Sequence, residues 1–132
     1  MQSAVSPPPR PDLEASEHAV RLAFPAVVRE LSQILGPKLV AYLSGVRETR
    51  AVREWEAGAR VPRDPIPQRL RLALQVALLI GRHDGPGVVQ AWFQGLNPQL
   101  DDRSPARMLR EGELHEVGPE VLSAARAFTT GG

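Results

Sequence analysis

Apolar positions recur along most of this chain at the three-to-four-residue spacing of helices, and nowhere do β-branched residues alternate between turns as strands require. The first such run starts at Leu13 and passes through Ala19, Val20, Leu22, Ala23 and Phe24. Pro25 then interrupts it; proline is tolerated in a helix's first turn, so Pro25 opens a second helix rather than kinking one long one. That second helix sets Val27, Val28, Leu31, Ile34 and Leu35 on one face and stops at Gly36-Pro37. A short apolar helix, Leu39 to Leu43, follows and ends at Ser44-Gly45. Thr49 is placed to cap the next helix, which carries Val52 and Trp55 and stops at Gly58. Pro62, Pro65 and Pro67 make residues 59–67 a stiff linker. Residues 68–82 are apolar nearly all round, which predicts a buried central helix. Beyond it, Gly85-Pro86-Gly87 leads into Val88 to Phe93, and residues 95–98 end that element. Ser104 as N-cap with Pro105 at the first helical position starts a helix that Gly112 stops. A last helix begins around Pro119 and carries Val121, Leu122, Ala125 and Phe128. The expected fold is all-α, with about seven short helices.

At 132 residues the chain has room for one domain or two very small ones. Its polar, proline-rich start, residues 1–12, reads as a disordered tail, and residues 129–132 as a second tail. Pro7 to Pro9 with no apolar run beside them do not form a signal peptide. The longest apolar stretch, Leu70 to Ile80, is broken by Arg71 and Gln75, so no membrane span is expected. Without cysteine there is no disulfide framework, thiolate metal site or cysteine nucleophile, and a cytoplasmic setting is the default expectation. The sequence carries no phosphate-cradling glycine loop, nucleophile elbow or dinucleotide fingerprint. Glu111, Glu113, His115 and Glu116 are the one histidine–carboxylate cluster, and a single imidazole across a glycine turn falls short of a zinc site. No catalytic residue, metal or cofactor is therefore expected.

Charge separates along the chain. Lys38 to Arg71 holds eight basic and four acidic residues, whereas Asp84 to Gly132 holds four basic and seven acidic. Two surfaces with different partners would produce this asymmetry; two solvated faces would produce it as well.

The basic segment, residues 38–62, has the layout of a helix-turn-helix: a short helix, a glycine-containing turn and a second helix that enters the DNA major groove. Such a unit needs an apolar pivot, and Leu43, Val46, Val52 and Trp55 supply one. The opposite face then presents Arg47, Thr49, Arg50 and Arg53 to base edges, where arginine pairs in bidentate fashion with guanine. Arg60, past the helix end, meets flanking phosphates. The competing reading is a plain helical hairpin with Trp55 as core filler, and Glu48, Glu54 and Glu56 on the same helix favour it.

Residues 52–62, VREWEAGARVP, resemble the end of an Xre-type helix-turn-helix, in which a tryptophan, an acidic residue, a glycine and a proline recur at this spacing. Further on, a tryptophan-bearing helix, Asn97-Pro98, Leu100, Ser104-Pro105, Leu109, Gly112 and a closing amphipathic helix are similar in order to the toxin-binding domain of the Xre/MbcA/ParS antitoxin family. Asp102-Arg103 stands where that family often has a glycine. The resemblance spans residues 33–128 and implies a helix-turn-helix module with linker over residues 13–67, then a toxin-binding and dimerisation domain over residues 68–128. It implies a type II antitoxin that represses its own operon as a homodimer on double-stranded DNA. Its implied partner is a RES-domain toxin that degrades NAD+, bound through Trp92, Asn97 and Phe128. The acidic Asp101, Asp102, Glu113 and Glu116 would complement an arginine-rich pocket in that partner. Trp92 as core filler and the acidic surface as a solubilising one are the plainer alternatives. Two other functions remain open from residues alone: a stand-alone transcription regulator, and a protein-interaction module with a degenerate helix-turn-helix.

Overall fold

In a computed structural model that describes residues 10–131, eight α-helices and one 3-10 turn follow one another without a named strand. The fold is all-α. The tail expected over residues 1–9, and Gly132, lie outside the described residues.

Helix α1 (Pro11–Arg21) starts on a proline and holds Asp12 and Glu14 in its first turn, where the helix dipole favours acids. It therefore includes two residues expected to belong to the tail. Helix α2 (Phe24–Leu35) has Pro25 in its opening turn and buries Val27, Val28, Leu31 and Leu35. Gly36, at φ +86°, breaks the chain sharply enough for Pro37 to start α3 (Pro37–Ser44) at once. Helix α4 (Thr49–Glu56) follows after a four-residue turn. Thr49 does not cap it: Glu48, in extended conformation, occupies the cap position, and the Thr49 hydroxyl instead accepts a hydrogen bond from Arg53 Nη2 at 3.1 Å.

Helix α5 (Ile66–Gly81) is the hub. Leu70, Ala73, Leu74, Val76, Ala77 and Ile80 are fully buried, and helices α1, α2, α3 and α6 (Pro86–Gln94) pack around it. So does α8 (Leu114–Thr129). Ser104 Oγ accepts from the Arg107 N–H at 3.1 Å and starts α7 (Pro105–Glu111) as the sequence predicts. Helix α8 begins at Leu114, not near Pro119, which lies inside it. Leu114 and Val117 pack against the core, so tertiary contacts extend the helix upstream of a residue that cannot donate to it. Gly118 permits the close approach of α8 to α5, since a Cβ there would lie 2.9 Å from Leu72 Cδ2.

One hydrophobic cluster runs through residues on both sides of Pro67, from Ala19 to Ala125. Polar side chains tie helices together at their ends, most of them across the same two halves. The carbonyls that a helix leaves without partners at its C-terminus need donors. Arg71 serves Ala19 and Leu22 at the end of α1, and Gln90 serves Ile34 near the end of α2. Arg69 and Arg110 serve Leu43 and Tyr42 at the end of α3, and Arg29 serves Glu56 in α4. Each of these donors comes from a different helix than the carbonyl it satisfies.

Candidate functional site

The turn between α3 and α4 is built by backbone chemistry. Gly45 takes φ +80°, its N–H donates to Tyr42 O and the Val46 N–H donates to Ala41 O, the paired bonds that terminate a helix in a left-handed residue. Gly58 ends α4 the same way, with φ +74° and the Ala59 N–H bonded to Glu54 O at 2.9 Å. Between these stops the expected pivot forms. Leu43 and Val52 are fully buried, Trp55 is 1% exposed and Val46 packs partly buried against the core. The Trp55 ring meets Phe24 of α2 at 6.4 Å, and its Nε1 is buried without a hydrogen-bond partner. The indole is thus held by packing alone.

The outer face of α4 is open. Arg47, Arg50, Arg53 and Arg60 are exposed and Thr49 is half-buried. Glu54 gathers two of them: its Oε1 accepts from Arg50 Nε at 3.2 Å, and its Oε2 lies 3.1 Å from Arg60 Nη1. Arg47 and Arg53 form no ion pair among the described residues. Beside this face runs a groove of about 710 Å³ lined by Lys38, Tyr42, Arg47, Glu48, Thr49, Arg50, Arg53 and Arg110, together with Ala41 and Val46. Arg110 belongs to α7, and its guanidinium lies 4.6 Å from the Tyr42 ring centroid. Neighbouring Arg69 is held below the usual arginine pKa by burial and by the charge of Arg110.

The residues of the second half are more dispersed. Trp92 is 8% exposed, stacked edge-on against Phe93 at 5.4 Å and covered by Phe128 at 6.5 Å. Phe128 itself is 41% exposed. The Asn97 side chain accepts from the Gln99 N–H at 2.9 Å, which starts the 3-10 turn Pro98–Leu100. Asp101 and Asp102 follow, both exposed and both at positive φ, 56° and 60°, a conformation that aspartate tolerates better than most side chains. Arg103 lies within 3.9 Å of Asp101 and 3.6 Å of Glu120. Glu113 and Glu116 are exposed on either side of His115. Among the described residues no three His, Asp or Glu side chains converge as metal ligands. No helix there is long and apolar enough to cross a membrane.

A chain in the crystal structure of the M. tuberculosis MbcT–MbcA toxin–antitoxin complex superimposes on this protein with a TM-score of 0.67. The two are 26% identical, and the match covers 83% of this chain and 96% of that one. This chain has a toxin–antitoxin-related fold. No protein-family model matches it, and no curated protein does. A match over 83% of the chain takes in residues on both sides of Pro67, so the toxin–antitoxin-related fold includes helices from the basic and the acidic halves alike.

Within that fold the geometry adds residues that the pattern of the chain did not single out. Arg110 is 68 residues from Tyr42 in sequence yet touches it, and no local motif announces the contact. Lys38 sits on the first turn of α3 as the sole lysine, and only the packing of α3 against α7 turns its position into part of a groove.

Proposed function

We propose that this protein is the antitoxin of a toxin–antitoxin pair, with two working surfaces on one helical body. The carrying observation is the likeness, over 96% of the matched chain, to a chain of a toxin–antitoxin complex. The first surface is the exposed face of α4, set on a buried Trp55, which reads DNA through Arg47, Arg50 and Arg53 with Arg60 on a phosphate. A homodimer would read half-sites about 34 Å apart, or a multiple of that, in the operator of its own genes. The second surface lies around Phe128, the turn at Asn97 to Asp102, and the acids Glu113 and Glu116, and covers a toxin. A RES-type, NAD+-degrading toxin is the partner that the family resemblance suggests. On this reading the chain binds and represses without chemistry of its own, in the cytoplasm where its operon and toxin are.

The test is co-expression with the product of the adjacent gene, followed by co-purification and a measurement of NAD+ consumption by that product alone and in the complex. Stable association with loss of NAD+ turnover is the expected result. An adjacent product that neither binds nor is inhibited overturns the antitoxin assignment, and inhibition of some other activity overturns the RES assignment alone.

One observation favours a second reading, in which the helix-turn-helix serves only as scaffold: Glu54 occupies two of the arginines that DNA would need. A salt-titrated binding assay on the upstream region of the gene separates the two. Specific retention at about 150 mM salt supports the repressor, and absence of binding at 50 mM supports the scaffold.

A further inference from the structure

The groove beside α4 draws its cations from three places that the chain brings together late: Lys38 from the start of α3, Arg47, Arg50 and Arg53 from the turn and α4, and Arg110 from α7. Glu48 is the one acid in its lining. Elsewhere on α7, Arg107 pairs with Glu111 at 3.0 Å. Lys38, Arg47, Arg53 and Arg110, by contrast, make no ion pair among the described residues, and residues 1–9 contain no Asp or Glu that could supply one. Arg110 is also fixed in place. One Nη1 bond to Tyr42 O at 2.8 Å and the stacking on the Tyr42 ring use a fraction of a guanidinium that carries five N–H donors. Its remaining donors belong to a charged group that lines a groove with a single acid.

We propose that Lys38 and Arg110 form a phosphate cradle beside the reading helix and bind the DNA backbone where it runs past the N-terminal turn of α4. The inference rests on the DNA-binding reading given above and extends it to a helix of the other half of the chain. A phosphodiester suits the groove because its oxygens accept from a planar arginine fork and from a lysine point charge alike. Backbone contacts of this kind position a protein without reading sequence. Arg110 therefore sets how tightly, and Arg50 which sequence, the protein binds.

The experiment is a salt titration of binding, by fluorescence anisotropy, to a duplex from the region upstream of the gene and to a random duplex of equal length. The parent is compared with Lys38→Gln, Arg110→Gln and Arg110→Lys. Each neutral variant should lower the slope of log affinity against log salt by about 0.9, so that one contact accounts for about a 3.5-fold change between 50 and 200 mM. Both duplexes should weaken by the same factor, and Arg110→Lys should recover the parental slope. Unchanged slopes in Lys38→Gln and Arg110→Gln, with a parent that binds, overturn the cradle while leaving the reading helix intact. A parent that binds neither duplex at 50 mM overturns the DNA-binding reading itself. Lys38 is exposed and its side chain makes no hydrogen bond among the described residues, so its variant decides the matter even if Arg110→Gln loosens the end of α3. Equal affinity for duplex RNA overturns the assignment to B-form DNA.

Discussion

Removal of the Glu54 charge should strengthen DNA binding. Its carboxylate holds Arg50 at 3.2 Å and Arg60 at 3.1 Å, yet those arginine side chains are 84% and 61% exposed. Exposed pairs are worth roughly 0.2–1 kcal/mol, and at these exposures the lower end applies, so Glu54→Gln should cost less than about 1 kcal/mol of stability. Its effect on binding is larger. A carboxylate about 7 Å from a backbone phosphate is repelled by about 0.6 kcal/mol in bulk water and about 2.4 kcal/mol at an effective dielectric of about 20. Screening at physiological salt holds the value near the lower bound, which gives about a threefold gain in affinity. Glutamine keeps an acceptor for Arg50 Nε, so the ratio of operator to random affinity should hold. Glu54→Ala frees Arg50 and should raise affinity for random duplex while lowering that ratio. Anisotropy titrations of both variants on both duplexes, with thermal melts beside them, measure all three quantities. If Glu54→Gln binds random duplex no tighter than the parent, the face that carries Arg50 and Arg60 does not meet phosphates.

Ser104→Ala removes the acceptor of the Arg107 N–H and should cost about 1 kcal/mol in a denaturant melt. Gly112→Ala should cost more than Gly118→Ala. A Cβ at Gly112 lies 2.4 Å from Val117 Cγ1 and 2.9 Å from the Met108 carbonyl, so backbone must yield and roughly 1–3 kcal/mol is lost. At Gly118 the obstacle is the flexible tip of Leu72, and the helix propensity gained, about 0.8–1.0 kcal/mol, offsets it to near neutrality. Glu113→Lys with Glu116→Lys, both at exposed sites at the start of α8, should cost roughly 0.3–1 kcal/mol each against the helix dipole, and should slow toxin association and weaken its salt dependence. Unaltered association rates would make that acidic stretch a solvated surface only.

Wherever local chemistry decides, the chain announces its structure. Pro25, Gly36-Pro37, Gly45, Gly58 and Ser104-Pro105 mark helix boundaries because fixed φ, positive φ and a hydroxyl acceptor are properties of single residues. The apolar run of α5 declares its burial for the same reason. Where tertiary contacts decide, it does not. Helix α8 starts five residues before Pro119 because Leu114 and Val117 find partners in space, and Thr49 loses the cap position to the extended Glu48. The candidate DNA face divides along the same line. The pivot of Leu43, Val46, Val52 and Trp55 follows from spacing on α3 and α4. The pairing of Glu54 with Arg60 needs the α4 stop to fold the chain back, and Arg110 needs the whole core.

That core limits which experiments can separate the two surfaces. Helix α8 buries Val121, Ala124 and Ala125 against neighbours that include α5, and α5 in turn buries side chains against α1, α2 and α3. A chain ending after Gly112 would expose the face of α5 that α8 covers, at about 25 cal/mol for each Å² of apolar surface returned to water. With folding stabilities of about 5–15 kcal/mol for a domain, such a truncation tests folding before it tests toxin binding. The capping of α3 makes the point locally. The carbonyls of Tyr42 and Leu43, just before the turn into the reading helix, are held by Arg110 and Arg69 from the other half of the chain. A partner that shifts α7 would release one of these bonds and let the end of α3 move, and with it the groove beside α4. Point substitutions on exposed side chains are therefore the means of dividing DNA binding from toxin binding in this fold, and deletions are not.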